Sequence, residues 1–152
     1  MTNWNRRFLG LAEYVAGWSK DPSTKVGAVI VDQQRIILAL GYNGFPRGIY
    51  DRCERLTDRD TKLRLTVHAE INALHNASAS VRGATLYTWP LSPCSACALQ
   101  IIQAGIARVV APYAGAELFD RWRDALTDAD DLFREAGVHL DLVRHRGPCD
   151  ED

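Results

Sequence analysis

No stretch of this 152-residue chain approaches the ~20 apolar residues that a membrane-spanning helix needs. Its start, Met1-Thr2-Asn3-Trp4-Asn5-Arg6-Arg7, leads into no continuous apolar segment of a secretory leader. An excess of one charge is also lacking, with 18 Lys+Arg against 19 Asp+Glu and a net charge of -1. A chain that grips nucleic acid through its phosphates normally carries a basic excess or a basic block, and neither is present. A small-molecule substrate is therefore expected, with neither a membrane nor a nucleic acid as partner. Cysteine is scarce: of four, only Cys94 and Cys97 share a metal-binding spacing, while Cys53 and Cys149 stand alone, Cys149 in the polar tail as an ordinary free thiol. Without a secretory leader, metal binding is favoured over a disulfide framework, and a cytoplasmic location is expected. Internal repeats, low-complexity segments and linkers are absent, so residues 1–152 are expected to form a single domain. That length buries a hydrophobic core without disulfide support.

Hydrophobic spacing predicts the order α-β-β-α-β-α-β-α-β. Trp4, Phe8, Leu11, Val15 and Trp18 recur at helical spacing and predict a helix over 3–19, ended by Asp21-Pro22. Strands are expected at 26–31 and 35–40, joined as a hairpin by Asp32-Gln33-Gln34. Residues 41–48 form a Gly/Pro/Asn loop, and the charged stretch 50–65 is an exposed loop or a short polar helix. Helices are expected over 67–77, over 94–104 and within 117–136, and strands over 84–89, 107–111 and 138–143. Helix-separated strands pair in parallel and the hairpin pairs antiparallel, giving a three-layer α/β/α fold with a mixed five-stranded sheet.

The chemistry concentrates in His68-Ala69-Glu70 and Pro93-Cys94-Ser95-Ala96-Cys97. One imidazole and two thiolates suit Zn²⁺ and leave its fourth position open. An open position holds water, whose pKa zinc lowers to about 7. Glu70 is then free to move protons. Together these residues match a known deaminase pattern, H-x-E…P-C-x-x-C. Cys94 and Cys97, three apart, share one helix face. His68 and Glu70 lie roughly 200° apart on a regular helix. They enter one pocket only if His68 stands at the helix start, before regular geometry sets in. The alternative is a structural zinc site, closed by Cys53, His75, Cys149 or Glu70 as fourth ligand.

With those motifs in view, the chain resembles the deoxycytidylate (dCMP) deaminases of the cytidine deaminase-like superfamily. The likeness runs from about Ala16 to about Val143. It is carried by Ser19-Lys20-Asp21-Pro22-Ser23-Thr24-Lys25-Val26-Gly27-Ala28, Gly41-Tyr42-Asn43-Gly44-Phe45-Pro46-Arg47-Gly48, Val67-His68-Ala69-Glu70-Ile71-Asn72-Ala73, Pro93-Cys94-Ser95-Ala96-Cys97 and Ile101-Ile102-Gln103-Ala104-Gly105-Ile106. The resemblance implies a zinc ion on His68, Cys94 and Cys97, and Glu70 as the catalytic acid and base. It implies hydrolysis of a cytosine nucleotide, with dCMP to dUMP plus ammonia the favoured reaction.

Substrate contacts are implied at Asn43, Ala69, Ser23, Lys25, Ser92 and Pro93, and phosphate or effector contacts at Lys20 and Arg47. For Asn43 the alternative is a left-handed turn residue; for Lys20 and Lys25 it is plain solvent exposure. Arg121, Trp122 and Arg123 either line the pocket or form an ordinary helix face. The resemblance also implies a homo-oligomer and dCTP and dTTP as possible effectors. The chain departs from the family at Trp89-Pro90-Leu91-Ser92 and at Pro112-Tyr113-Ala114-Gly115. Those departures leave open CMP, a modified cytosine, guanine or a pterin-like ring. A tRNA or single-stranded DNA deaminase and a non-catalytic zinc protein are the remaining rivals.

Overall fold

Residues 3–144 are described by the computed structural model of the chain. They form α1 (Trp4–Ala16), β1 (Gly27–Val31), β2 (Ile37–Tyr42), α2 (Cys53–Thr57), α3 (Arg59–Leu65), α4 (Ala69–Asn76), β3 (Thr85–Trp89), α5 (Ser95–Ala104), β4 (Arg108–Pro112), α6 (Ala116–Ala136) and β5 (His139–Val143). The sheet order is β2-β1-β3-β4-β5. β1 pairs antiparallel with β2 and β3, while β3–β4 and β4–β5 are parallel. The mixed sheet expected from the sequence is the one observed. Cys149 lies outside the described residues.

Alternation along the strands divides the core into two layers. Ala28, Ile30, Leu86 and Val109 face Ala69, Ala73, Cys97, Ala98, Ile101 and Phe133 of α4, α5 and α6. Val29, Val31, Tyr87 and Val110 face Phe8, Leu9 and Ala12 of α1. β1 is fully buried because helices cover both its faces, which is why it reads as an unbroken apolar run.

Several boundaries differ from expectation. α1 stops at Ala16 with Gly17 as its C-cap, so Trp18 lies beyond the helix and is exposed. Its buried stripe is Phe8, Leu9, Ala12, Val15 and Ala16. β2 starts two residues late because the turn is longer than three residues. Asp32 Oδ1 accepts from both Gln34 N and Ile36 N, and Arg35 adopts a left-handed φ of 68°. Gly41 and Tyr42 therefore belong to the strand and not to the loop. The charged 50–65 segment holds two short helices, α2 and α3, and α3 buries Lys62.

Two glycines set how closely helices approach the sheet. A Cβ on Gly27 would lie 2.0 Å from Ala12 O in α1, and one on Gly41 would lie 2.4 Å from both Ala69 O and Ala73 N in α4. Asn72 and Asn76 of α4 donate to Tyr42 O and Leu40 O, each at 2.8 Å, on either side of Gly41. α4 is thus fastened across β2 at the one residue that lets it come close.

Candidate active site

Two helix starts meet beyond the C-terminal end of β3. His68 is the N-cap of α4, with extended ψ of 153°, and Cys94 is the N-cap of α5, with ψ of 171°. Neither side chain caps its own helix, which frees both for other work. The segment before His68 is held by a bridge between Gly44 and Val67, with hydrogen bonds of 3.1 and 2.8 Å. Thr88 Oγ1 donates to Leu91 O at 2.8 Å and closes the loop that leads to Pro93 and Cys94. The non-helical backbone at His68 lets its imidazole and the Glu70 carboxyl share one side, as the motif requires.

His68 Nδ1 lies 3.2 Å from Cys97 Sγ and 3.5 Å from Cys94 Sγ. Ligand atoms of all three residues fall within 4.8 Å of one another. Zn–S bonds of about 2.3 Å and a Zn–N bond of about 2.0 Å at tetrahedral angles put nitrogen and sulfur roughly 3.5 Å apart. The donor set and its spacing therefore fit zinc. Among the described residues no fourth ligand joins the group. Cys53 and His75 are exposed. Glu70 Oε2 lies 3.8 Å from Cys97 Sγ, beside the ligand set and outside it.

The electrostatics suit metal capture and proton transfer. The Cys97 thiol donates to Cys94, which holds Cys94 down to about 4, and His68 adds to that pull. The same hydrogen bond, with burial, pushes Cys97 up. The hydrogen bond to Cys94 raises His68. Burial raises the Glu70 carboxyl above the usual carboxylate range, against the pull of His68. A carboxyl 4% exposed and raised in this way holds a proton more readily than an exposed one, which suits a group that accepts and passes on protons.

A cleft opens from this group. Of the residues expected at a site, His68, Ala69, Glu70, Cys94, Asn43, Ser23 and Ser92 line it. Asn43 does not have a left-handed backbone. Its amide ties two loops, accepting from Val26 N at 2.8 Å and donating to Thr24 O at 2.9 Å. Pro93 is fully buried, and Lys25 is exposed and does not line the cleft. Lys20 is engaged by Asp51 at 2.8 Å and Arg47 by Asn76, both on the surface. Arg121 and Trp122 line the cleft, whereas Arg123 pairs with Asp120 on the exposed face of the helix, so the two readings divide between neighbouring residues. Sequence reasoning missed Arg59, Lys62 and Asp21. Lys62, 5% exposed, pairs with Asp21 at 2.9 Å, and Asp21 Oδ1 also accepts from Ser23 N and Thr24 N. Burial alone would raise Asp21; the bond to Lys62 and the two backbone N–H groups outweigh it and leave its pKa lowered. A lysine in a densely charged segment gave no sign of that burial.

Residues 2–112 match the sequence model of the cytidine and deoxycytidylate deaminase zinc-binding region. A protein described as an uncharacterized deaminase in the luxG 3′ region of Aliivibrio fischeri is 39% identical over 140 residues, which is 92% of this chain and 93% of that one. The deoxycytidylate deaminase of Mus musculus is 41% identical over 143 residues, 89% of this chain and 76% of the mouse protein. The crystal structure of dCMP deaminase from the cyanophage S-TIM5, in complex with dCMP and dUMP, superposes with a TM-score of 0.78 at 28% identity. That match covers 94% of this chain and 99% of the phage protein.

Proposed function

The chain belongs to the cytidine and deoxycytidylate deaminase family, and on that premise we propose that it hydrolyses dCMP to dUMP and ammonia. One observation carries the reading: a buried carboxyl, Glu70, stands beside a His68–Cys94–Cys97 donor set that fits zinc and lacks a fourth ligand among the described residues. His68 Nδ1 and the sulfurs of Cys94 and Cys97 would hold zinc, which when bound would make a water readily deprotonated at neutral pH. Glu70 takes one proton from the attacking water and delivers it to the ring nitrogen N3 as the C4–O bond forms. It then takes the proton of the new C4 hydroxyl and passes it to the amino group, so that the C4–N bond breaks, C4 becomes a carbonyl and ammonia leaves. Ser23, Asn43, Ala69 and Ser92 line the walls that orient the nucleotide.

The same proposal takes residues 1–152 as one deaminase domain that assembles as a homo-oligomer. Exposed Tyr14, Trp18 and Tyr42, whose rings pack edge to face, support an apolar contact between copies. Regulation by dCTP and dTTP belongs to the proposal as well. A mononucleotide substrate and ligands that must stay reduced thiols fit the cytoplasm. Among the described residues no helix is long and apolar enough to cross a membrane.

The test is the ultraviolet absorbance change when zinc-loaded protein meets dCMP, CMP or deoxycytidine. Loss of the cytosine band with dCMP, and much less with the other two, is the expected outcome. Bound zinc with no change for any of them would overturn the assignment and direct the search to other amino-substituted rings.

A further inference from the structure

At the end of the sheet away from the metal group lies a second cavity of about 390 Å³, large enough for a small molecule. It sits between the start of α1, the β1–β2 turn and the first residues of β3 and β4. Trp4, Asn5, Asp32, Arg35, Tyr87 and Arg108 supply most of its polar and aromatic lining. It shares no residue with the cleft at Glu70. Thr85, at one end of β3, lines this cavity, while Trp89, at the other end, leads into the loop of Cys94. At about 3.3 Å per residue, β3 alone holds the two places ~13 Å apart.

One wall is fixed by a chain of hydrogen bonds. Arg108 donates through Nε to Asp141 Oδ2 at 2.7 Å and through Nη1 to Asn5 Oδ1 at 3.3 Å. Tyr87 Oη donates to the same Asn5 oxygen at 3.0 Å, and His139 Nε2 meets the other Asp141 oxygen at 2.7 Å. The Asn5 oxygen is thus used twice, and its amide N–H groups have no acceptor among the described residues.

The facing wall is Arg35. Its φ of 68° is a left-handed conformation that a long side chain seldom adopts, and strained residues of this kind collect at ligand clamps. Asp32 holds it there, accepting from Gln34 N and Ile36 N through Oδ1 and from Arg35 N through its carbonyl at 3.0 Å. The Arg35 guanidinium lies 4.9 Å from the centre of the Trp4 ring and makes no hydrogen bond or ion pair among the described residues. Arg7 lies over the same ring at the same distance, and its guanidinium is equally without an anion. Two cations on one ring are less than about 10 Å apart, close to one Debye length, so salt does not fully screen their repulsion.

Of the charged side chains that line the cavity or make these contacts, Arg7, Arg35 and Arg108 are opposed by Asp32 and Asp141. One positive charge is left over, and it is unevenly placed. Asp141 is taken up by Arg108 and His139, and Asp32 by the N–H groups of its own turn. The first turn of α1 adds no acidic residue.

We propose that this cavity binds the phosphoryl group of a small molecule, with Arg35 as its principal cation and Arg7, Arg108 and the Asn5 amide in support. A phosphoryl group carries about −1.5 to −2 charge at pH 7 and offers three strong acceptor oxygens. That matches two guanidiniums without counter-ions, whose planar forks suit phosphate oxygens.

The experiment is a ¹⁵N nuclear magnetic resonance titration of the zinc-loaded full chain with pyrophosphate and, separately, with ribose 5-phosphate, both at constant ionic strength. The indole signal of Trp4 is identified by its loss in Trp4→Phe. Saturable shifts are expected at that indole and at the amides of Gln34 and Ile36. Arg35→Gly should weaken them about tenfold or more, and Arg7→Ala should weaken them less. Glycine accepts a φ of 68° without strain, so the Arg35 variant is expected to keep the fold, which its melting temperature checks. Saturation by pyrophosphate alone identifies a diphosphate ligand, by ribose 5-phosphate alone a phosphomonoester, and by both the phosphoryl group itself. Lack of saturation with either by about 10 mM, shifts unchanged in Arg35→Gly, or the same shifts from sodium chloride would each overturn the assignment.

Discussion

Glu70 and His68 show how one residue's backbone setting decides its chemistry. Two positions apart, they would diverge on a regular helix, and they converge because His68 is an N-cap with extended ψ. Glu70 lies inside the first helical turn, buried and outside the ligand group. Removing its carboxyl should therefore leave the metal and remove the proton carrier. Glu70→Gln is expected to keep full zinc content by elemental analysis while dCMP turnover falls by roughly 10²-fold or more. Loss of zinc together with activity would make Glu70 a ligand, and retained turnover would remove it from the reaction.

At the scale of elements, the site depends on how α4 lies against β2. The helix crosses the strand at Gly41, with Asn72 and Asn76 donating to the carbonyls on either side. A methyl group at Gly41 would meet backbone, which cannot swing away as a flexible side chain does. Gly41→Ala is expected to lower stability by about 1–3 kcal/mol, the usual range for an overpacked core, and to weaken zinc by moving His68. Gly44→Ala is the control, because nothing lies within 4 Å of its added Cβ. Thermal melts and zinc titration of the two variants check this. Equal behaviour would mean that the approach of α4 does not set the ligand geometry.

Across the whole molecule, the metal group joins two elements that are far apart in the chain. His68 enters from α4 and the cysteines from α5, over a sheet whose other face is closed by α1. A ligand that binds the folded state alone stabilises it by mass action, about 4 kcal/mol at a thousandfold excess over its dissociation constant. Chelation should therefore lower the melting temperature by several degrees. The fold is expected to survive, since fourteen buried residues besides the ligand Cys97 form the core layer around the site. Complete unfolding of the chelated protein by circular dichroism would show the zinc to be structural.

The sequence by itself determined the mixed sheet and the order of its strands and long helices, and it singled out His68, Glu70, Cys94 and Cys97, which the structure gathers in one place. Those rest on short-range signals: apolar spacing, Gly at helix ends, and metal-ligand spacing close in the chain. The structure alone decided which cations line the cleft. Lys20, Lys25 and Lys62 have the same side chain, and no local pattern separates the buried one from the others. Lys62 is buried because α3 folds back over the 21–26 loop and meets Asp21, a contact 41 residues away in sequence. Arg121 reaches Thr24 across 97 residues. Burial and charge pairing at such range follow from packing, and packing is fixed only when the sheet and its helices are assembled.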